Sequence, residues 1–99
     1  MLFTSNHAKN HINKGGKMAR VKLTVLESNC RGGYCKKGDV YHVEDLCPPI
    51  CHELWNYIYP SLYALQNGAR LDCGEGRAKA FVVRCPDGGR VVVRGEAEE

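Results

Sequence analysis

Six cysteines in a chain of 99 residues, Cys30, Cys35, Cys47, Cys51, Cys73 and Cys85, are the residues here best able to do chemistry. Their thiolates are soft ligands, suited to zinc, Cu(I) or an iron–sulfur cluster. The spacings are Cys30-x4-Cys35 and Cys47-x3-Cys51, then single Cys73 and Cys85, with no C-x-x-C knuckle of the zinc-ribbon kind. A metal ion or cluster held by Cys51, Cys85, Cys30, Cys35 and Cys47 would supply stability that so small a core lacks. This is the first expectation: a non-catalytic accessory module with a soft-metal site. A thiol-redox protein is the second. In it Cys51 is the reactive thiolate near a helix N-terminus, with Cys47 or Cys85 as its resolving partner. The third is a metal-free interaction domain with inert buried thiols, which suits Cys73 and Cys47 but accounts poorly for all six.

Other chemistry finds little support in the residue types. No nucleophile–base–orienter set, phosphate loop or carboxylate pair is evident, so an enzyme is not expected. His42 shares a strand face with Val40 and reads as a half-buried histidine. His52 follows Cys51 directly, and neighbours on a helix point about 100° apart, which makes joint ligation awkward. Asp39 and Asp87 read as turn residues.

The elements that position the cysteines follow from periodicity. Arg20 to Ser28 alternates with Val21, Leu23 and Val25 on one face, which predicts a half-buried strand. A short strand is expected over Val40 to Glu44, and Cys47-Pro48-Pro49 reads as a helix start. Ile50 to Asn67 carries the helical period through Cys51, Trp55, Ile58, Leu62 and Leu65. Pro60 should kink or split that helix, and Gly68 should stop it. Trp55, Tyr57, Tyr59 and Tyr63 could form a ligand cage, but aromatics at helical spacing more often pack a core.

A glycine-containing loop over Ala69 to Arg77 precedes strands at Ala78 to Cys85 and Val91 to Arg94, joined by the Pro86-Asp87-Gly88-Gly89 turn. The expected architecture is a single α+β domain over 18–95, in the order β-β-α-β-β. A Pro-kinked helix packs on a small, mostly antiparallel sheet, and residues 96–99 form an acidic tail that frays. If the first two strands form a simple hairpin and the helix comes at once after them, the thiols divide between the sheet's two ends. Cys30, Cys35 and Cys73 would make one group and Cys47, Cys51 and Cys85 the other. Cys51 heads the apolar helical stripe, and Cys85 ends a strand on the face of Phe81 and Val83, so these two should share a site.

Cys30-x-x-Gly33, Gly38-Asp39, Ile50-Cys51, Trp55, Tyr59-Pro60, Ala64-Leu65, Gly68 and Cys85-Pro86-Asp87 stand together in this order. As a set they resemble a family of small uncharacterised bacterial and archaeal proteins with a C-x-x-G…G-D…C…P…G…C-P-D pattern. The resemblance covers about Val21 to Val93. It implies a grouping of Cys30, Cys51 and Cys85 and carries no assigned activity. The family's first motif often continues with a histidine, where this chain has Tyr34-Cys35.

The first 17 residues are polar, with Lys9, Lys14 and Lys17 and no acid, and read as a disordered leader. His7 and His11 within it are expected to be incidental. Lys14-Gly15-Gly16-Lys17 before Met18 could encode a ribosome-binding site read through in frame, so translation is expected to begin at Met18. The net charge of +3 comes from that leader, and residues 18–99 balance to zero. A neutral body gives no footprint for nucleic acid or an anionic membrane, which leaves a protein partner as the open possibility. No secretory signal or span of about 20 apolar residues is present, so a cytoplasmic location is expected and structural disulfides come last.

Overall fold

Among the described residues, the first and last strands lie side by side at the centre of a four-stranded antiparallel sheet. The computed structural model describes residues 19–73 and 76–98, so the expectations for the leader and for a start at Met18 lie outside the described residues. The elements are β1 (Arg20–Ser28), β2 (Val40–Val43), α1 (His52–Gln66), β3 (Leu71–Cys73), β4 (Gly76–Ala78), β5 (Ala80–Arg84) and β6 (Val91–Glu98). The sheet order is β2-β1-β6-β5, with β3 and β4 forming a separate antiparallel pair beside β5. Among the described residues no helix is long and apolar enough to cross a membrane.

Alternation places the core. Val21, Leu23 and Val25 of β1 pair across β6 with Ala97, Gly95 and Val93, and Phe81 and Val83 of β5 continue that face. The helix covers it with Leu54, Ile58, Leu62 and Leu65, each about 1% exposed or less. An amphipathic helix on the apolar face of a sheet is the two-layer arrangement of a small α+β domain.

Several expectations need correction. The order is β-β-α-β-β-β-β, because the expected glycine loop over 69–77 holds the β3–β4 hairpin. Three-residue strands are too short to leave a period-2 signature. Residues 96–98, expected to fray, are the end of β6, paired along β1 as far as Arg20↔Glu98. Their alternating acids face solvent while Ala97 faces inward, which is strand patterning and not a tail. The helix is continuous through Pro60. Proline deprives the Asn56 carbonyl of its donor, but both residues are exposed, so water can satisfy that oxygen. Leu54, not Trp55, is the fully buried residue of the first turn, and Tyr57, Tyr59 and Tyr63 are exposed rather than in the core. His42 does share a face with Val40, but that face is open, and its Nδ1 lies 2.8 Å from Glu98 Oε1.

Gly95 is buried because the Phe81 ring lies on it: an added Cβ would meet the ring at 2.2 Å. Gly95→Ala is expected to lower unfolding free energy by about 1–3 kcal/mol, since an overpacked ring must leave its place. Denaturant unfolding measures this, and Phe81→Leu in the same chain should recover part of the loss.

At the open end of the β1–β6 pair, Glu98 accepts from His42 and lies 3.0 Å from Arg20 Nε. The His42 hydrogen bond, helped by the Arg20 and Lys22 charges against a small desolvation penalty, holds the carboxyl below its ordinary 4.5. A lowered native pKa stabilises the fold above the unfolded value, and that contribution fades as pH falls through the lowered one. Glu98→Gln should therefore cost no more than about 1 kcal/mol at pH 7. The difference from the parent should shrink as pH falls below 4.5 and disappear once the native carboxyl is protonated, as urea titrations across acid pH will show.

Candidate thiol site

Cys30 lies just beyond β1, and residues 30–35 form a loop whose two ends meet on one hydroxyl. The Ser28 Oγ donates to the Cys35 carbonyl at 2.5 Å and accepts the Cys30 N–H at 3.5 Å. Ser28 reaches this position because of a β-bulge. Val25 pairs with Val93, but Glu27 pairs with Val92, leaving Leu26 as the extra residue. A one-residue slip reverses side-chain parity, so Ser28 lies beside core Val91 on the inner face instead of pointing out. Within the loop Gly33 has φ 71 and its N–H bonds the Cys30 carbonyl at 3.2 Å, a turn that a larger residue would strain.

Cys51 is the N-cap residue of α1, and its carbonyl accepts the Trp55 N–H at 3.0 Å. Cys85 comes after β5, at the start of the Pro86–Gly89 turn. Its N–H bonds the Val91 carbonyl at 2.9 Å, and its sulfur receives the Val91 N–H at 3.3 Å. Since Val91 pairs with Ser28, the β5–β6 turn brings Cys85 to the end of the sheet where Cys30 sits.

Cys30, Cys35, Cys51 and Cys85 consequently line one cavity of about 240 Å³. The expected division into two groups at opposite ends is wrong, for a definable reason. The Gln66 amide donates to the Glu44 carbonyl at 2.7 Å, and the Gln66 carbonyl accepts from Ala19, so α1 ends where β1 begins and β2 finishes. The helix therefore starts at the far end, among the thiols. Residues 44–51 span the sheet first; eight residues can reach at most about 26 Å, enough to match a helix of about 22 Å even with the bends at 44–46 and 49–50. Periodicity gives no sign of that return leg. The prolines at 48 and 49, expected to start the helix, belong to this connecting segment, where the Ile50 N–H bonds the Pro48 carbonyl at 2.8 Å.

Cys51 and Cys85 do share a site, joined by Cys30 and Cys35. Cys47 is exposed on the return segment and does not line the cavity, so it is neither in the cluster nor buried. Cys73 is half-buried in β3, with Arg94 Nη1 3.9 Å from its sulfur. Among the described residues, no group of three or more His, Cys, Asp and Glu side chains stands in a geometry that would hold a metal ion. The cysteines among them are free thiols.

The local electrostatics separate two of the thiols. Backbone N–H groups, Tyr34 first and then Gly32, Gly33 and Cys35, point at the Cys30 sulfur and lower its pKa despite some desolvation. Cys35, 4% exposed, is pushed up to about 11, chiefly by burial, with Cys30, Cys51, Asp39 and Cys85 adding repulsion. At the mouth, Asp87 Oδ2 lies 3.3 Å from Arg31 Nε and 3.6 Å from Arg90 Nε. That ties the Cys30–Cys35 loop to the β5–β6 turn. With Glu53 also in the lining, the charged side chains beside the thiols sum to zero, and the buried Arg90 Nε is in ion-pair range without a hydrogen bond. Sequence patterning does not single out Ser28 or Arg90. The one available signal is Leu26, an apolar residue in a polar place of the alternation.

Ser28→Ala should cost about 1–2 kcal/mol, since it leaves a part-buried carbonyl and N–H without their partner. The more specific consequence is an opened loop: Cys35 should react with a thiol reagent several-fold faster than in the parent. Timed alkylation with peptide mapping measures this.

Comparison with family models, with curated proteins and with solved structures returned no match.

Proposed function

We propose that this protein binds a soft metal ion through the thiolates of Cys30, Cys35, Cys51 and Cys85 and acts as a non-catalytic accessory module. The observation that carries this reading is the convergence of four free thiols on one cavity, from three separate segments of the chain. The Cys85 sulfur already receives the Val91 N–H, the kind of outer-shell contact that steadies a metal-bound thiolate, and the backbone around Cys30 lowers its pKa. Four thiolates are the donor set of a structural zinc site or an iron–sulfur cluster. Mutual repulsion among the thiolates is relieved by a cation at their centre. Closing on an ion needs the sulfurs drawn to about 2.3 Å from it.

A thiol-redox protein is favoured by a different observation, the donors aimed at the Cys30 sulfur. In this reading Cys30, not Cys51, is the attacking thiolate. It would displace one thiolate from a disulfide substrate, and a second cavity cysteine would displace the other, leaving an intramolecular disulfide. The substrate gains the two electrons that the cysteine pair loses.

Anaerobic purification with elemental analysis and thiol titration decides between them. About one equivalent of metal per chain, with four thiols protected, is expected. Cys30→Ser, Cys51→Ser and Cys85→Ser should each lose the metal, whereas Cys47→Ser and Cys73→Ser should keep it. Metal-free protein with one fast-reacting thiol at Cys30 assigns the redox reading. Metal-free protein with slow, uniform thiols rejects both.

A further inference from the structure

A second cavity, of about 170 Å³, lies between α1 and the turn after β2. One wall is aromatic. Trp55, Tyr59 and Tyr63 stand one helical turn apart, with ring centroids 5.6 and 5.8 Å apart and planes tilted by 41° and 42°. Tyr59 and Tyr63 are nearly half exposed, so these rings are not occupied in packing the core. The opposite wall is Glu44, Asp45 and Leu46. The buried Gln66 side chain, 4% exposed, holds this turn against the helix by donating to the Glu44 carbonyl at 2.7 Å. The cavity is thus a built feature of the fold, with a fixed hinge between its two walls.

Its chemistry is one-sided. Glu44 and Asp45 are the charged residues in the lining, and no cationic side chain lines it. Arg20 approaches Glu44 at 4.0 Å from an exposed position, and Asp45 has no hydrogen-bond or ion-pair partner among the described residues. Leu46 remains 83% exposed above the cavity. Three aromatic rings, an unpaired carboxylate and an exposed alkyl group suit a ligand that is both cationic and greasy. Ring faces carry negative potential and attract a cation most when it sheds its water easily. A bare ammonium holds its water tightly and gains nothing from Leu46. An anion is repelled by both carboxylates.

From this we infer that the cavity binds an alkylated ammonium group, with its methyls against the rings of Trp55, Tyr59 and Tyr63 and its charge toward Asp45. A free quaternary amine and a methylated lysine of another protein present the same group. The site is separate from the thiol cavity and does not depend on what that cavity binds.

Trp55 is the sole tryptophan, so its fluorescence reports on the site directly. Titrating the full chain with choline should give a saturable change. The neutral carbon isostere, dimethylbutanol, should bind at least about tenfold more weakly. Tyr59→Leu and Asp45→Asn replace exposed groups and should retain the parent's circular dichroism while each weakens choline binding about threefold or more. Cys73→Ser, outside both cavities, should leave it unchanged. A peptide carrying trimethyl-lysine should also bind better than its unmodified form. Tighter binding of that peptide than of choline would assign the group to a protein partner, and the reverse to a small molecule. Equal responses to choline and its isostere, or no saturable response to either ammonium ligand, would overturn the inference.

Discussion

The pairing of β1 with β6 is the constraint on which the other parts depend. It joins the two ends of the folded body and sets the sheet order β2-β1-β6-β5. Because β1 finishes where β6 starts, Cys30 and Cys85 come to the same end. The apolar face of this pair is what the helix must cover, and the traverse of residues 44–51 starts the helix at that end, which brings Cys51 there as well. The bulge at Leu26 belongs to the same pairing. Without its change of parity, Ser28 would face solvent and the Cys30–Cys35 loop would lose its anchor.

The thiol cavity combines two opposing influences. Backbone N–H groups favour negative charge on Cys30, while burial and neighbouring thiols resist it on Cys35. Cys35 belongs to the hydrophobic cluster itself, and Cys30, Cys51 and Cys85 pack against it.

Much of this is legible in the residues. Strand β1 and the helix are plain because each carries a long, clean period, and α+β follows from their combination. Cys51 and Cys85 can be placed together because each begins or ends an element whose buried face is known. The division of the thiols is not legible, because periodicity shows which face of an element is buried but not where the chain goes between elements. Residues 44–51 have no period, so their traverse of the sheet leaves no trace, and a direct connection would start the helix, and with it Cys51, at the wrong end. The last strand is cut short for a related reason: Glu96 and Glu98 look like a tail unless their partners on β1 are known. The exposed tyrosines show the opposite limit. Helical spacing reveals that they share a side of the helix, but Leu54, Ile58 and Leu62 already fill the inner one.

Placing the last strand in the middle of the sheet also governs the order of events during synthesis. A ribosome delivers β1, β2 and the helix well before β6, yet β1 lacks a neighbour on one side until β6 arrives. Pairing the two ends closes a loop of nearly the whole body, an arrangement of high contact order that folds more slowly than a chain of local contacts. Throughout that interval Cys30, Cys35 and Cys51 are already outside the ribosome, while the turn that presents Cys85 is not yet formed. The nascent chain therefore displays three of its four cavity thiols in an open state, and the cavity is completed only when the final eight-residue strand is seated.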